Sequence, residues 1–405
     1  MIAQSFSRRF AVCLAVVLLL APAGALAKPG HEEASGPNIF TVRPEGSSGP
    51  LVAYDMASGA ARYELPAGML AADGSRYAAA AKDEGGTLIH VFDMSTDALR
   101  WQFPYNGRWN VRGISPTGRW VALIRIPSDS DRAAWTAADT WQTDVRIIDT
   151  DTGFVANQFS LDGNFEVETI SPDGNSLFLV QHLPAINPDH YLIRLYDLAT
   201  EALDPNALRD KKNTDEIMAG LAWEGVASPN GQWLLTLYLN TLKDTAFIHT
   251  LDLINSYPVC IDLPSTQNDM ESLKAYTLSL SPDGQTAYAA NAVLGVVAEV
   301  DLFNRVVRHV ATFAPEAIAV GGERQQSRSA MSPDGSRLYF ATGRTVWAYD
   351  TASAEIAASF PIETTVAGLG VSPDGNRLFI AGKDASPAIM AIDTATGARV
   401  TLPRA

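Results

Sequence analysis

Residues 330–341 read Ala-Met-Ser-Pro-Asp-Gly-Ser-Arg-Leu-Tyr-Phe-Ala, and this combination of a turn and a following strand recurs along the chain. Proline presets the first corner of a tight turn, Asp or Asn caps its own backbone, and Gly accepts the positive φ that closes the turn. The β-rich run behind each turn predicts the second strand of a hairpin. The copies are Ser115-Pro-Thr-Gly118, Ser171-Pro-Asp-Gly174, Ser228-Pro-Asn-Gly231, Ser281-Pro-Asp-Gly284, Ser332-Pro-Asp-Gly335, Ser372-Pro-Asp-Gly375 and the degenerate Ala71-Ala-Asp-Gly74.

A second signature ends another strand with Asp and often continues into a polar turn, as in Asp393-Thr-Ala-Thr-Gly397. The strand-ending aspartates are Asp55, Asp93, Asp149, Asp197, Asp252, Asp301, Asp350 and Asp393. Their spacings are 38, 56, 48, 55, 49, 49 and 43 residues, close to the roughly 40 to 50 residues of a four-stranded propeller blade. The repeat therefore predicts an all-β propeller of four-stranded antiparallel blades, spanning residues 38–405.

The two signatures give different blade counts. Seven turns between a first and a second strand favour seven blades, which is our prediction, whereas eight Asp-ending strands make eight the alternative. Residues 38–66 supply second, third and fourth strands with no obvious first. The ring could close by mixing N- and C-terminal strands in one blade, or the chain could carry an eighth, incomplete blade.

The repeated elements resemble those of the YVTN-type and WD40-like propellers. The resemblance rests on Ser332-Pro-Asp-Gly335, Arg337-Leu-Tyr-Phe-Ala341 and Asp393-Thr-Ala-Thr-Gly397, and it extends over almost all of the chain behind its first residues. It implies the fold and leaves the function open, because these residues build turns and blades in proteins of many activities.

The N-terminus has the pattern of a secretion signal. Basic Arg8 and Arg9 precede an apolar run from Ala11 to Leu20 and a small-residue site ending at Ala27, so we predict a cleaved signal peptide over 1–27 and a linker over 28–37. General secretion is favoured over twin-arginine export. An uncleaved membrane anchor is disfavoured, because Pro22 and Gly24 interrupt a stretch shorter than the roughly 20 residues of a span. We therefore expect an extracytoplasmic protein, periplasmic or secreted.

The composition of the chain limits the classes of partner that it could bind. The 405 residues are 47% hydrophobic and 19% charged, as in a folded protein with a large core. Without the signal the chain has 28 basic and 45 acidic side chains, a net charge of −17, which argues against nucleic-acid binding. Cys13 leaves with the signal, so Cys260 has no partner for an internal disulfide, and we predict that it is a buried small hydrophobe.

The loops predict where a ligand would bind. With strands named a to d from the axis outward, the Ser-Pro-Asp-Gly turns (a to b) and the Asp-ended turns (c to d) share one face. The opposite face receives the long b–c and d–a connections, and binding residues concentrate on such loops. These connections include residues 127–141, 183–190, 203–220, 263–275 and 313–327.

The innermost strands carry unusual charges near the axis. Glu166 and Glu168 fall on one side of a strand, about 6.5 Å apart by strand rise, and Arg112, Glu224 and Arg328 occupy similar first-strand positions. Such a channel mouth could bind a polar ligand or a divalent cation. The alternative is that these charges pair with one another and with water. We predict no cofactor and leave metal binding open.

Two further groups lie in the long loops. Trp135 and Trp141 flank a loop with several aspartates, which is either a protein- or sugar-binding lip or an insertion whose tryptophans pack on the blade. His182, Asp189 and His190 match no recognised zinc spacing, so we interpret the histidines as surface residues.

Two functional hypotheses follow. The first is a non-enzymatic binding or scaffold propeller that engages a protein, peptide or saccharide through its long-loop face. The second is a propeller hydrolase resembling the lactonase-type relatives of this repeat class, with Glu166, Glu168 and Glu224 as candidate metal or acid/base groups. The first is favoured, because the sequence lacks a Gly-x-Ser-x-Gly elbow, a His-Glu-x-x-His helix and a phosphate-binding loop.

Overall fold

The computed structural model describes residues 39–43, 49–210, 218–228, 230–240, 243–265, 270–315, 328–383 and 389–402. The predicted signal peptide 1–27 and linker 28–37 lie outside these residues. So do residues 211–217, 266–269 and 316–327 of the predicted long loops.

The described residues form eight antiparallel sheets, arranged in chain order as blades 1 to 8. The strands of blades 1 to 4 are β1 (Ile39–Val42), β2 (Leu51–Asp55), β3 (Ala61–Leu65); β4 (Gly68–Leu70), β5 (Arg76–Asp83), β6 (Gly86–Asp93), β7 (Ala98–Asn106); β8 (Trp109–Ile114), β9 (Trp120–Arg125), β10 (Gln142–Asp149), β11 (Val155–Asp162); β12 (Asn164–Ile170), β13 (Ser176–Leu183), β14 (His190–Asp197) and β15 (Ala202–Leu203).

The strands of blades 5 to 8 are β16 (Leu221–Ala227), β17 (Trp233–Asn240), β18 (Thr245–Asp252), β19 (Tyr257–Asp262); β20 (Thr277–Leu280), β21 (Thr286–Asn291), β22 (Val296–Asp301), β23 (Val306–Thr312); β24 (Arg328–Met331), β25 (Arg337–Thr342), β26 (Thr345–Asp350), β27 (Glu355–Pro361); β28 (Val366–Val371), β29 (Arg377–Gly382), β30 (Met390–Asp393) and β31 (Arg399–Val400). In the described part of the chain, two helices, α1 (Asp129–Ala138) and α2 (Met270–Leu273), lie in connections between strands. Neither helix, and no other part of the described chain, offers a segment long and apolar enough to cross a membrane as a helix.

The prediction of seven blades is wrong, and the alternative of eight is correct. Blade 1 shows three strands among the described residues and blades 2 to 8 show four each. Among the described residues no sheet combines N- and C-terminal strands, and blade 1 packs on blade 8: Phe40 stacks on Phe379 with ring centroids 6.5 Å apart, and Val42 joins the same buried cluster. The eighth unit was hard to count because the Ser-Pro-Asp-Gly turn that marks the other blades is missing in front of β1.

The predicted turns form as expected. The glycine that closes each Ser-Pro-Asp-Gly turn has a positive φ, for example +72° at Gly335 and +73° at Gly375. Ser332 Oγ donates to Asp334 Oδ1 at 2.6 Å and accepts from the backbone N–H of Arg337 at 2.9 Å. The first serine therefore ties the turn to the start of strand b.

Both predicted turn types lie on the same face. The hydroxyl of Thr351, in the c–d turn of blade 7, donates to the carbonyl of Gly335 in the a–b turn at 2.8 Å. Thr394 makes the same bond to Gly375 in blade 8, also at 2.8 Å. The b–c and d–a connections consequently leave the opposite face, and α1 belongs to one of them.

The cores lie between blades. Strands b and c of one blade pack on strands b and c of the next, as in the cluster that joins Tyr288 and Val297 to Phe340 and Trp347. Because neighbouring blades cover each other's sheet faces, most side chains at the centres of strands b and c are buried and apolar.

Candidate functional site

The axial channel contains a cavity of about 390 Å³ toward blade 1. Its charged side chains are Arg43, which follows β1, Glu224 of β16 and Arg328 of β24. The remaining wall is mostly apolar or glycine, and it consists of Thr41, Val42, Leu51, Leu70, Trp223, Gly225, Ser329, Ala367, Gly368 and Leu369. Three charged groups from three blades thus meet in one largely apolar space.

Glu224 is the acidic group of this cavity. Its Oε1 lies 3.3 Å from the hydroxyl of Thr277, which lies 3.0 Å from Ser329 Oγ. Burial raises the pKa of Glu224 to about 7, although Arg328 and the Thr277 hydroxyl act in the opposite direction. A carboxyl group that titrates near neutral pH in a cavity is suited to hydrogen bonding in either protonation state.

The two arginines are held by backbone carbonyls. Arg328 Nε donates to the carbonyl of Ala367 at 2.6 Å, and burial lowers its pKa. Arg43 donates to the carbonyls of Gly49 and Gly68 at 2.9 and 2.6 Å, and its guanidinium lies 5.5 Å from the Tyr77 ring centroid. The sequence predicted Arg328 but missed Arg43, since a single arginine behind a short strand gives no signal.

Glu166 and Glu168 do not join this cavity. Glu168 accepts from Thr236 Oγ1 of blade 5 at 2.9 Å, and burial raises its pKa. Glu166 is 61% exposed and lies 3.5 Å from His182 Nε2, which lowers its pKa, as does the charge of Arg112 to a smaller extent. The two carboxylates therefore have different hydrogen-bond partners, although the charge of Glu166 also contributes to raising the pKa of Glu168.

Bulges explain part of this separation. The register of β12 against β13 shifts between Val167 and Thr169, which leaves Glu168 outside the regular pairing. The register of β8 against β9 shifts in the same way at Arg112. A bulge redirects its side chain, so simple strand alternation did not predict the orientation of these two charges.

Metal binding, which the sequence left open, can be compared with the grouping of the possible ligands. Within the described residues, no three His, Cys, Asp or Glu side chains are grouped so that they could hold a metal ion. His182 and His190 have different carboxylate partners, Glu166 and Asp189 respectively.

Trp135 of helix α1 contacts Trp141, which follows the helix. The ring centroids of Trp135 and Trp141 are 5.1 Å apart, and both side chains are half-buried. Asp131, one of the aspartates of the predicted loop, accepts from the backbone N–H of Ser128 in a capping box and pairs with Arg125 at 2.9 Å. This part of the predicted loop is therefore a capped helix, and its tryptophans do not line the axial cavity.

A second cavity, of about 300 Å³, lies on the outer part of blade 5. Half-buried Cys260 and buried Asp210 line it, and the backbone N–H of Cys260 donates to Asp210 Oδ2 at 2.7 Å. Cys260 Sγ lies 3.8 Å from Nδ1 of the buried His249, whose pKa burial lowers to about 4. No sequence pattern indicated this cluster, because Asp210 comes from the connection between blades 4 and 5.

Comparisons with known proteins show the fold. The chain is similar to the structure of dihydro-heme d1 dehydrogenase NirN in complex with DHE, with a TM-score of 0.54, 16% identity, and coverage of 94% of this chain and 76% of that one. It is also similar to the Dos1 propeller, with a TM-score of 0.51, 10% identity, and coverage of 87% and 88%.

The β-propeller domain of Cps50 (Swd1) from Myceliophteria thermophila gives a TM-score of 0.43 at 13% identity, covering 81% of this chain and 96% of that one. No protein-family model matches the chain, and no protein of curated function is similar to it in sequence. At these identities the likeness extends to the fold alone, so the chain is a β-propeller with structural neighbours among WD40-like and NirN-type propellers.

Proposed function

We propose that this protein is a non-enzymatic, extracytoplasmic binding propeller that holds a protein, peptide or saccharide ligand at the loop-face end of its axial channel. The observation that carries the proposal is the cavity of about 390 Å³ in which Arg43, Glu224 and Arg328 meet. Ligand sites are typically concave and mostly apolar, with a few convergent polar groups. The basic n-region, apolar run and small-residue site over 1–27 support export, and the YVTN-type likeness of the repeats is compatible with a binding role.

Position in the ring also supports binding at this end. Arg328 is the first residue of β24, Leu51 is the first of β2, and Arg43 follows the last residue of β1. All three stand where d–a or b–c connections meet the strands, so a ligand in the cavity would also reach the long-loop face. The charge of the chain, −15 over all residues, favours neutral or basic partners.

The test compares the purified protein with two variants at Gly225. A Cβ at this position would meet no atom closer than 3.8 Å, at the Leu235 carbonyl, so Gly225→Leu places a side chain in the cavity without a clash at Cβ. Gly225→Ala is the matched control. Libraries of short peptides and oligosaccharides are screened by thermal shift, and we expect ligands that stabilise wild type and the Ala variant but not the Leu variant. Ligands that stabilise all three equally would place binding elsewhere.

A hydrolase is the second candidate, and the raised pKa of Glu224 favours it specifically. A general acid or base works best with a pKa near the working pH. The test is a screen of lactones and esters with wild type and Glu224→Gln. Turnover that falls by at least about a hundredfold in the variant, as expected for loss of an acid–base group, would establish this alternative, whereas absence of turnover with retained ligand binding would reject it.

A further inference from the structure

The axial cavity has an excess of positive charge in a chain that is acidic overall. Its charged side chains are Arg43, Arg328 and Glu224, and the rest of its lining is uncharged. Both guanidinium groups stay charged at any pH at which the protein is folded, so positive charge exceeds negative charge whether or not Glu224 is ionised. The net charge of −15 over the whole chain favours neutral or basic partners at the outer surface, but the local charge of this cavity favours an anion.

Arg43 reaches only neutral hydrogen-bond acceptors. Its Nη1 donates to the carbonyl of Gly49 at 2.9 Å, and its Nη2 donates to the carbonyl of Gly68 at 2.6 Å and to the hydroxyl of Tyr77 at 3.4 Å. In the described part of the chain, none of its hydrogen bonds goes to a carboxylate. These bonds fix the guanidinium without using all of its N–H donors, so Arg43 can still donate to a ligand.

The two arginines are held beside the same contact between blades 1 and 8. Arg43 directly follows Val42, which packs over Gly368. Arg328 Nε donates to the carbonyl of Ala367, the residue before Gly368, at 2.6 Å. Backbone carbonyls thus hold both guanidinium groups at the wall of one cavity, and donors fixed in this way bind a carboxylate at a smaller entropic cost than mobile ones.

The surroundings of the arginines make an unpaired charge costly. Burial lowers the pKa of Arg328, and Glu224 opposes this shift with its negative charge. One carboxylate therefore acts against two guanidinium groups, and a second carboxylate, supplied by a ligand, would balance the charges when Glu224 is ionised. The apolar side chains of Leu51, Leu70 and Leu369 in the same wall would contact the uncharged part of such a ligand.

We propose that the axial cavity binds a carboxylate-bearing ligand, whose carboxylate accepts hydrogen bonds from Arg43 and Arg328 and whose uncharged part lies against the apolar wall. This inference rests on the proposed binding function and adds a negative charge to its ligand. A cavity of about 390 Å³ is at the small end of ligand sites, so it would admit one end of a larger molecule, such as a peptide C-terminus or a uronic acid.

The experiment uses matched probes that differ only in this charge: acetyl-alanyl-leucine with its C-terminal amide, and galacturonic acid with its methyl ester. Calorimetric titration measures their binding to the purified protein at about pH 6, where the carboxylates of both acids are ionised. We expect at least one acid to bind about tenfold or more tightly than its neutral counterpart. The pair that shows this preference distinguishes a peptide from a saccharide source, and inorganic phosphate should compete only weakly.

Variants of Arg43 test the position of the carboxylate. Arg43→Gln should reduce the preference for the acid to less than about threefold and leave the affinity for the neutral probe within about twofold of wild type. Arg377→Gln is the matched control, because it removes the same charge from an exposed position of blade 8 outside the cavity lining. Thermal unfolding shows whether each variant is folded. If Arg43→Gln is not, Arg43→Lys, which keeps the charge without the planar donors, should lower the preference several-fold.

The pH dependence gives a second readout. Glu224 faces Arg328 and the Thr277 hydroxyl, and Arg43 is the other charged group of the cavity. Because the pKa of Glu224 is about 7, its ionisation adds a negative charge beside the ligand as the pH rises. Affinity for the acid should therefore fall by about fivefold or more between about pH 6 and about pH 8 in wild type, and should change by less than about twofold in Glu224→Gln.

Several outcomes would overturn the inference. If neutral ligands bind in competition with the Gly225→Leu side chain and neither acid is preferred, the carboxylate is wrong but the proposed binding function stands. A preference for the acid that Arg43→Gln leaves unchanged would place the carboxylate elsewhere, and tighter binding of inorganic phosphate than of either acid would assign the cavity to a different anion. Absence of any ligand that Gly225→Leu blocks would reject the proposed function together with this inference.

Discussion

Val42 of β1 packs so closely over Gly368 of β28 that a Cβ at position 368 would lie 1.8 Å from Val42 Cγ2. This contact joins the first blade to the last, and Phe40 packs over Gly370 in the same manner. Two glycines of the final innermost strand thus let blade 1 approach the axis and close the ring.

Gly368→Ala should destabilise the fold by about 1–3 kcal/mol, the usual cost of overpacking. Chemical unfolding gives the measurement. Gly225→Ala, on another axial strand but with its nearest neighbour at 3.8 Å, is the matched control and should stay within about 0.5 kcal/mol of wild type. If the two variants proved equally stable, the close packing of Val42 on Gly368 would be wrong.

Glu224→Gln should change how stability depends on pH. The folded pKa of about 7 lies above the reference value of 4.5, so the folded state binds more protons between these values. The resulting stability is present below pH 4.5 and is lost as pH rises through 7. Wild type should therefore lose up to about 3 kcal/mol relative to the variant between pH 4.5 and 8.

The measurement for Glu224 is the unfolding free energy of both proteins at several pH values, and Glu355→Gln, an exposed carboxylate on β27, serves as the control. Parallel curves for wild type and Glu224→Gln would show that the cavity does not raise the pKa of Glu224.

His249→Leu should reveal a pH dependence of opposite sign. Burial holds the folded pKa near 4, below the reference value of 6.5, so the unfolded state binds more protons in this range. The stability gained is present above pH 6.5 and is lost as pH falls toward 4. Wild type should lose up to about 3 kcal/mol relative to the variant between pH 7 and pH 4.

The exposed His309 of β23 provides the control, as His309→Gln, in the same unfolding series. Because the contributions of Glu224 and His249 oppose each other between pH 4.5 and 6.5, the single variants are needed to separate them. If the unfolding free energy of His249→Leu depended on pH in the same way as that of wild type, His249 would not contribute to the loss of stability in acid.

Ser332→Ala should cost about 1–2 kcal/mol, because it removes the acceptor of the Arg337 N–H and the donor to Asp334. Thermal unfolding checks this against Ser353→Ala, an exposed serine in the c–d turn of the same blade, for which little change is expected. If both variants unfolded at the same temperature as wild type, the first serine of the repeat would not stabilise its turn.

Local chemistry explains why much of the fold was predictable. The glycines of the turns need positive φ and the aspartates cap their own turns, and both requirements act within a few residues. The spacing between copies then implied four-stranded units. The sequence placed strands of blade 1 in residues 38–66 but did not decide whether they form a separate blade, because the closing contacts pair Val42 with Gly368 and Phe40 with Gly370, residues more than 300 positions apart.

The candidate site was also predictable only in part. The sequence marked Glu224 and Arg328 as polar residues on innermost strands, but it also grouped them with Glu166, Glu168 and Arg112, which have other partners or positions. Strand alternation failed at Arg112 and Glu168 because bulges interrupt the register there. No local pattern marked Arg43.

The sequence by itself determined the repeating unit, its turns and the face to which each turn belongs, because these depend on residues that are neighbours in the chain. Only the tertiary structure decided that there are eight blades and that Arg43, Glu224 and Arg328 share one cavity. The physical reason is ring closure, which brings innermost strands from blades 1, 5, 7 and 8 to a common axis. These strands are far apart along the chain, so no local sequence pattern indicates that they meet.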